Sequence, residues 1–166
     1  MDERSGPEAR RKLLELLQEE TVAMMATRHP DGQMHARPMA VKHVEFEGHL
    51  WFLTDANSEK VADIYRSDEV LLVYADHTRN HYVSVTGRAV IITERMTLAQ
   101  LWTEDQRPWF PHGIEDPNLV AIRVDVEHAE YWDRDTRLMV LVYSYARGLL
   151  TGERPDGQGE TGHVEF

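Results

Sequence analysis

Three residues could hold an anion together. Arg37 lies in a strand-like stretch, and Ser58 and Lys60 open a short helical segment. A helix N-terminus leaves backbone N–H groups unbonded and carries partial positive charge, so a hydroxyl and an ammonium there complete a cradle for phosphate. Arg37 would add a two-pronged guanidinium contact if its strand is a neighbour. The same residues have a plainer reading, in which Ser58 only caps the helix and Lys60 is a solvated charge. Spacing alone leaves both open.

Histidine and aromatic residues are the other chemical candidates. The chain has nine histidines and no cysteine. His77 and His81 stand four residues apart, a spacing that on a helix would aim both at one metal. They flank a hairpin-type turn instead, and no HExxH pattern occurs. His35, His43 and His49 share no repeated spacing, so most histidines read as surface groups and no metal site is assigned. Trp102, Trp109 and Phe110 surround a proline-rich loop. They could stack on a planar ligand, fill a subunit interface or pack a core. No GxSxG elbow, phosphate-binding GxxxxGK[ST] loop or GxGxxG fingerprint occurs, and Ser84 has no base nearby in sequence. No catalytic residue can therefore be named.

Composition narrows the class. At 166 residues the chain has the length of one domain, given about 150 residues per domain. Its 18 basic and 29 acidic residues leave a net charge of −11. That argues against a nucleic-acid binder and against docking on an anionic membrane. Without cysteine there are no disulfides, thiolate nucleophiles or iron–sulfur clusters. No apolar run approaches the roughly 20 residues of a membrane span, and the N-terminus lacks the apolar core of a secretory signal. The expectation is a cytoplasmic single domain over residues 1–150, with a flexible tail at 151–166 holding four of the ten glycines.

The elements that must position these residues follow from patterning. Ser5, Pro7 and Glu8 read as a helix start, and Leu13, Leu14, Leu16 and Leu17 give an apolar stripe, so a helix is expected at about 7–19. Residues 21–28 and 34–41 read as a hairpin around His29-Pro30-Asp31-Gly32. Residues 49–54 form a strand apolar on both faces, 55–67 a helix, and 70–75 and 82–92 two strands about a turn at 76–80. A helix is expected at 93–105 and a half-buried strand from 120 to 126, running on toward 132. Residues 138–150 are apolar, with helix favoured in their second half. The sum is mainly β: about six antiparallel strands in a small barrel with peripheral helices.

Several segments, in this order and spacing, carry a resemblance. They are TVAMMATRHPDGQMHARPMAV at 21–41, WFLTDANSEKVADI at 51–64, YVSVTGRAVI at 82–91, the stretch from Trp109 to Val124, AEYWD at 129–133 and YARGLLTGERPDG at 145–157. From about Leu13 to Gly152 the chain resembles the general stress protein branch of the pyridoxamine 5′-phosphate oxidase-like superfamily. The resemblance implies a six-stranded antiparallel split β-barrel that forms a homodimer, with FMN at the subunit interface. It places Arg37, Ser58 and Lys60 at the FMN phosphate. Pro38 and Met39 would lie along the isoalloxazine. Phe52, Leu53 and Thr54 would offer backbone groups to its polar edge, and Trp102, Trp109 and Phe110 would lie near the partner's flavin. The implied function is an FMN-dependent oxidoreductase or flavin reductase, with NADH or NADPH as redox partner. The alternatives are a flavin-binding or sensing stress protein without turnover, or a haem- or deazaflavin-binding relative. The closing TGHVEF lacks the arginine of the RLxP-like ending of true pyridoxamine 5′-phosphate oxidases, so vitamin B6 oxidation is not expected.

Overall fold

A short strand, β1 (Asp2–Arg4), precedes helix α1 (Pro7–Glu19) in the computed structural model, which describes residues 2–4, 7–45, 47–133 and 160–165. Helix α1 occupies the span its leucine stripe predicts, and Leu13, Leu14, Leu16 and Leu17 are all buried. Strands β2 (Val22–Arg28) and β3 (Met34–Val44) form the expected hairpin. Its turn depends on Gly32, whose φ of 87° lies in the region glycine adopts without steric cost. Strand β4 (His49–Asp55) is buried continuously from Leu50 to Thr54, as a strand apolar on both faces should be.

Helix α2 (Glu59–Arg66) is shorter than its expected span of 55–67. Strands β5 (Glu69–Asp76) and β6 (His81–Ile92) pair antiparallel around a turn organised by Asp76. The Asp76 carboxylate accepts from the Thr78 backbone N–H at 2.8 Å and from the Arg79 backbone N–H at 3.2 Å. Helix α3 (Arg95–Leu101) ends earlier than the expected 105. Trp102 takes extended backbone, its ring meets Phe110 edge-to-face, and the chain re-forms a single 3₁₀ turn at Glu104–Gln106. Strand β7 (Leu119–Asp133) follows, and β8 (Glu160–Glu165) stands within the stretch expected to be loose. The remainder of that stretch, and the helix expected within 138–150, lie outside the described residues.

Six strands close into an antiparallel barrel in the order β7-β4-β3-β2-β5-β6, with β6 returning to β7. Closure gives each of the six a strand neighbour on both sides, over part of its length in the case of β3 and β4. Strand β7 makes this possible by its length. One edge pairs with β6 from Ala121 to Asp133, and the other pairs first with β4 and then with β8. Strand β1 adds to β8 in parallel. Where β6 crosses β7 the register shifts between Thr86 and Gly87. A Cβ on Gly87 would stand 2.3 Å from the Asp125 carbonyl oxygen, so only glycine fits this approach.

Two apolar clusters result. Inside the barrel, Met25, Met39, Phe52, Leu72, Tyr74, Ile122 and Tyr131 meet the leucines of α1. Outside it, Trp51 and Leu53 on β4 and Leu119 and Ala121 on β7 are covered by Leu98 of α3 and by Phe110. A third face has no cover among the described residues. Met24 stands between its cross-strand partners Pro38 and Val73, and Val22 stands opposite Ala40. These five side chains are exposed, with Val22 at 49%, Met24 at 42% and Val73 at 39%.

Candidate functional site

The barrel opens along one seam. Strands β3 and β4 are paired from Val44/Leu50 to Val41/Phe52, with an irregularity at Lys42, and the pairing stops there. Beyond it β3 stays on β2 through Pro38 and Arg37, and β4 stays on β7 through Asp55. The strands therefore diverge, and a cleft of about 410 Å³ lies between them. Pro38, Met39 and Ala40 form one wall and Leu53, Thr54 and Asp55 the other. Gln106, Trp109 and Phe110 close its outer side, and Lys60 stands at its end.

That end is cationic. Lys60, in the first turn of α2, donates from Nζ to Thr54 Oγ1 at 3.0 Å. Burial, and then the nearby Arg37 guanidinium, hold the Lys60 ammonium below the usual lysine range. Asp55 and Glu59 act on Lys60 in the opposite sense but do not cancel the shift, so an anion at this end would relieve the ammonium further. Ser58 takes the N-cap position of α2, yet its hydroxyl makes no capping bond. Its Oγ is buried without a hydrogen-bond partner. A buried hydroxyl left unpaired is costly, so its position favours an incoming acceptor.

Arg37 is fixed from behind. It donates to Thr27 Oγ1 at 2.6 Å and to the Met25 carbonyl at 3.4 Å. Its other terminal nitrogen lies 3.7 Å from Glu59 and 3.9 Å from the buried Asp63. Thr27 in turn donates to Asp63 Oδ2 at 2.8 Å. The outer wall is fixed in a similar way. Lys42 Nζ donates to Thr103 Oγ1 at 2.9 Å and to Asp105 at 3.2 Å, which ties the loop bearing Gln106, Trp109 and Phe110 back onto β3. Hydrogen bonds from Thr103 and Gln106, followed by that of Lys42, hold the Asp105 carboxyl down at about 2. Gln106 donates its amide to Asp105 at 3.0 Å.

The fold thus brings Pro38, Met39, Leu53, Thr54, Lys60, Trp109 and Phe110 to one cleft. Ser58 and Arg37 stand beside its Lys60 end without lining it. The Phe52 side chain does not reach it: the ring is fully buried in the barrel core. Trp102 lies behind Phe110, ring centroids 6.4 Å apart, and also does not line the cleft. Trp109, by contrast, is 71% exposed. Four contributors were missed in the sequence. Gln106 gave no signal, because its place depends on where α3 stops. Asp55 was read only as the start of a helix. Thr27 and Asp63 were detectable, since an acid on the inward side of α2 and a hydroxyl on the inward side of β2 require partners.

The histidine spacing leads elsewhere. His81 pairs with Asp133 at 2.8 Å, whereas His77 lies 3.4 Å from the Tyr82 hydroxyl, so the two do not converge. His29 and His35, by contrast, lie with their rings stacked 4.4 Å apart. No described helix is long and apolar enough to cross a membrane.

Comparison with known proteins gives a consistent result. The profile of a family described as pyridoxamine 5′-phosphate oxidase like matches residues 8–156. The chain is 28% identical over 141 residues to the protein bli-3 of Neurospora crassa, covering 79% of this chain and 68% of that one. A general stress FMN/FAD binding protein from Xanthomonas citri superposes with a TM-score of 0.69 at 25% identity, covering 80% of this chain and 93% of the other. General Stress Protein 26 from Bacillus anthracis shares the fold, with a TM-score of 0.66 at 24% identity over 74% of this chain and 92% of the other.

Proposed function

The chain belongs to the pyridoxamine 5′-phosphate oxidase-like family, and from that premise we propose that it binds FMN in the β3–β4 cleft as a flavin-dependent oxidoreductase. The observation that carries the reading is the unpaired, buried Ser58 hydroxyl at the N-cap of α2, the helix whose first turn brings Lys60, within reach of the Arg37 charge, to the end of the cleft. Phosphate offers oxygens to all three groups, and the slot suits a flat ring.

In this reading Pro38 and Met39 lie along the ring, and the cleft-facing edge of β4 at Leu53 and Thr54 offers backbone groups to its polar rim. Trp109, Phe110 and Gln106 restrict water on the outer side. A bound flavin supplies hydride and electron transfer, and the protein supplies binding and electrostatics. That division fits a cleft whose ionisable side chains are Asp55 and Lys60.

The reading includes a homodimer. The uncovered stripe of Val22, Met24, Pro38, Ala40 and Val73 continues into the cleft wall through Pro38 and Ala40. A second copy seated there would cover exposed apolar surface and border the flavin. The test is a visible spectrum of the purified protein before and after FMN addition and desalting, followed by NADH or NADPH under anaerobic conditions. Retained flavin bands and bleaching by either donor are expected. Retained flavin that neither donor reduces leaves binding without turnover, and failure to retain FMN overturns the reading.

A further inference from the structure

We propose that His29, His35 and Glu59, with Asp31 as a fourth ligand, form a binding site for a divalent transition-metal ion of the zinc or nickel type. One ligand atom from each of His29, His35 and Glu59 lies within 4.8 Å of the others. The donors come from separate parts of the chain. His29 follows the last residue of β2, His35 sits on β3 opposite Thr27, and Glu59 opens α2. Asp31 lies in the hairpin turn, its carboxylate 3.1 Å from His29 Nδ1 and 3.8 Å from His35 Nε2. His35 Nδ1 stands 2.8 Å from Glu59.

The donor chemistry selects the ion. Imidazole nitrogen mixed with carboxylate oxygen suits zinc, nickel and copper, whereas calcium and magnesium prefer oxygen alone. Two neutral imidazoles and two carboxylates balance a dication. His29 and His35 are half-buried, and Asp31 and Glu59 are exposed, so an ion can enter from solvent.

The geometry is near what a metal needs. The two rings stack with an interplanar angle of 7°, so their nitrogen lone pairs lie in two nearly parallel planes. Tetrahedral bonding at about 2.1 Å requires donors about 3.4 Å apart, so the rings must rotate, the wider pairs, at most 4.8 Å apart, must close, and His35 Nδ1 and Glu59, at 2.8 Å, must open slightly. The turn around Gly32, exposed from Pro30 to Met34, can supply that movement. A bound ion would tie the β2–β3 hairpin to the first turn of α2.

The experiment uses full-length, tag-free, chelator-treated and flavin-free protein, titrated calorimetrically with Zn²⁺ and then with Ni²⁺. One ion per chain is expected, with a rise in melting temperature. The double variant His29→Ala/His35→Ala should lose that rise and bind at least about tenfold more weakly. Glu59→Gln, which keeps both imidazoles, should weaken binding and reduce the metal-induced rise in melting temperature, measured against its own metal-free value. His77→Ala should bind like the parent. No binding by the parent, unchanged binding by the double variant, or loss of binding in His77→Ala would overturn the proposal. Because flavin is absent throughout, failure here is separate from failure of the flavin reading.

Discussion

Arg37 donates to Thr27 across a 2.6 Å hydrogen bond, and the Thr27 hydroxyl donates in turn to the buried carboxylate of Asp63 at 2.8 Å. The guanidinium is therefore anchored through a hydroxyl and not held in free solution. An anchored fork loses little freedom when an anion arrives, which is how a cation binds phosphate with less entropic loss.

Removing Arg37 should affect folding as well as binding. Arg37→Ala leaves Asp63, 1% exposed, without its nearest cation. A loss of about 1–3 kcal/mol is expected, the range for stranding a buried polar group. Urea unfolding measures it, and an unchanged midpoint would show that Arg37 does not support Asp63.

Arg37→Ala and Lys60→Ala should each weaken FMN binding by roughly tenfold or more, equivalent to about 1.4 kcal/mol. The loss should be larger at low salt, where charge contacts are less screened. Flavin fluorescence titration at two salt concentrations reads it. Parent-like affinity in Lys60→Ala would move the phosphate away from the head of α2.

Proton linkage at Lys60 gives a pH profile. The folded chain releases this proton below the ordinary 10.5, because burial and then Arg37 disfavour the ammonium. Between the lowered value and 10.5 the unfolded chain binds more protons, so the Lys60 contribution to stability rises with pH in that window. Binding has the opposite sign, because phosphate favours the ammonium. FMN affinity should hold near neutrality and fall as pH rises through the lowered value. Lys60→Arg, charged throughout, should flatten this fall, and identical profiles would exclude Lys60 as the titrating group.

The barrel seam offers a test of fold. Gly87→Ala places a methyl 2.3 Å from the Asp125 carbonyl oxygen. Backbone must shift at the β6–β7 crossing, with an expected cost of about 1–3 kcal/mol. Thermal unfolding checks it, and a neutral result would mean that the bulge relaxes freely.

Met24→Glu probes the uncovered face. A carboxylate between Pro38 and Val73 would be buried by a second copy, so the variant should sediment as a monomer and bind FMN more weakly. A parent protein that sediments as a monomer with flavin bound would contradict the dimer.

What the sequence determined by itself was local. The leucines placed α1, the continuous apolar run placed β4 with both faces buried, and Gly32 marked the first hairpin, because side-chain period and φ preference act within a few residues. Arg37, Ser58 and Lys60 were legible as anion-binding types, but spacing could not exclude a capping role for Ser58. The tertiary structure decided that point, since only packing shows that the Ser58 hydroxyl is both buried and unpaired. The cleft depends on where β3–β4 pairing stops, and Gln106 reaches it because α3 ends early and Lys42 holds the loop. His35 and Glu59, 24 residues apart, meet because α2 docks against the β2–β3 hairpin. Such juxtapositions follow from strand register and burial summed over the whole barrel, and no short window of residues contains them.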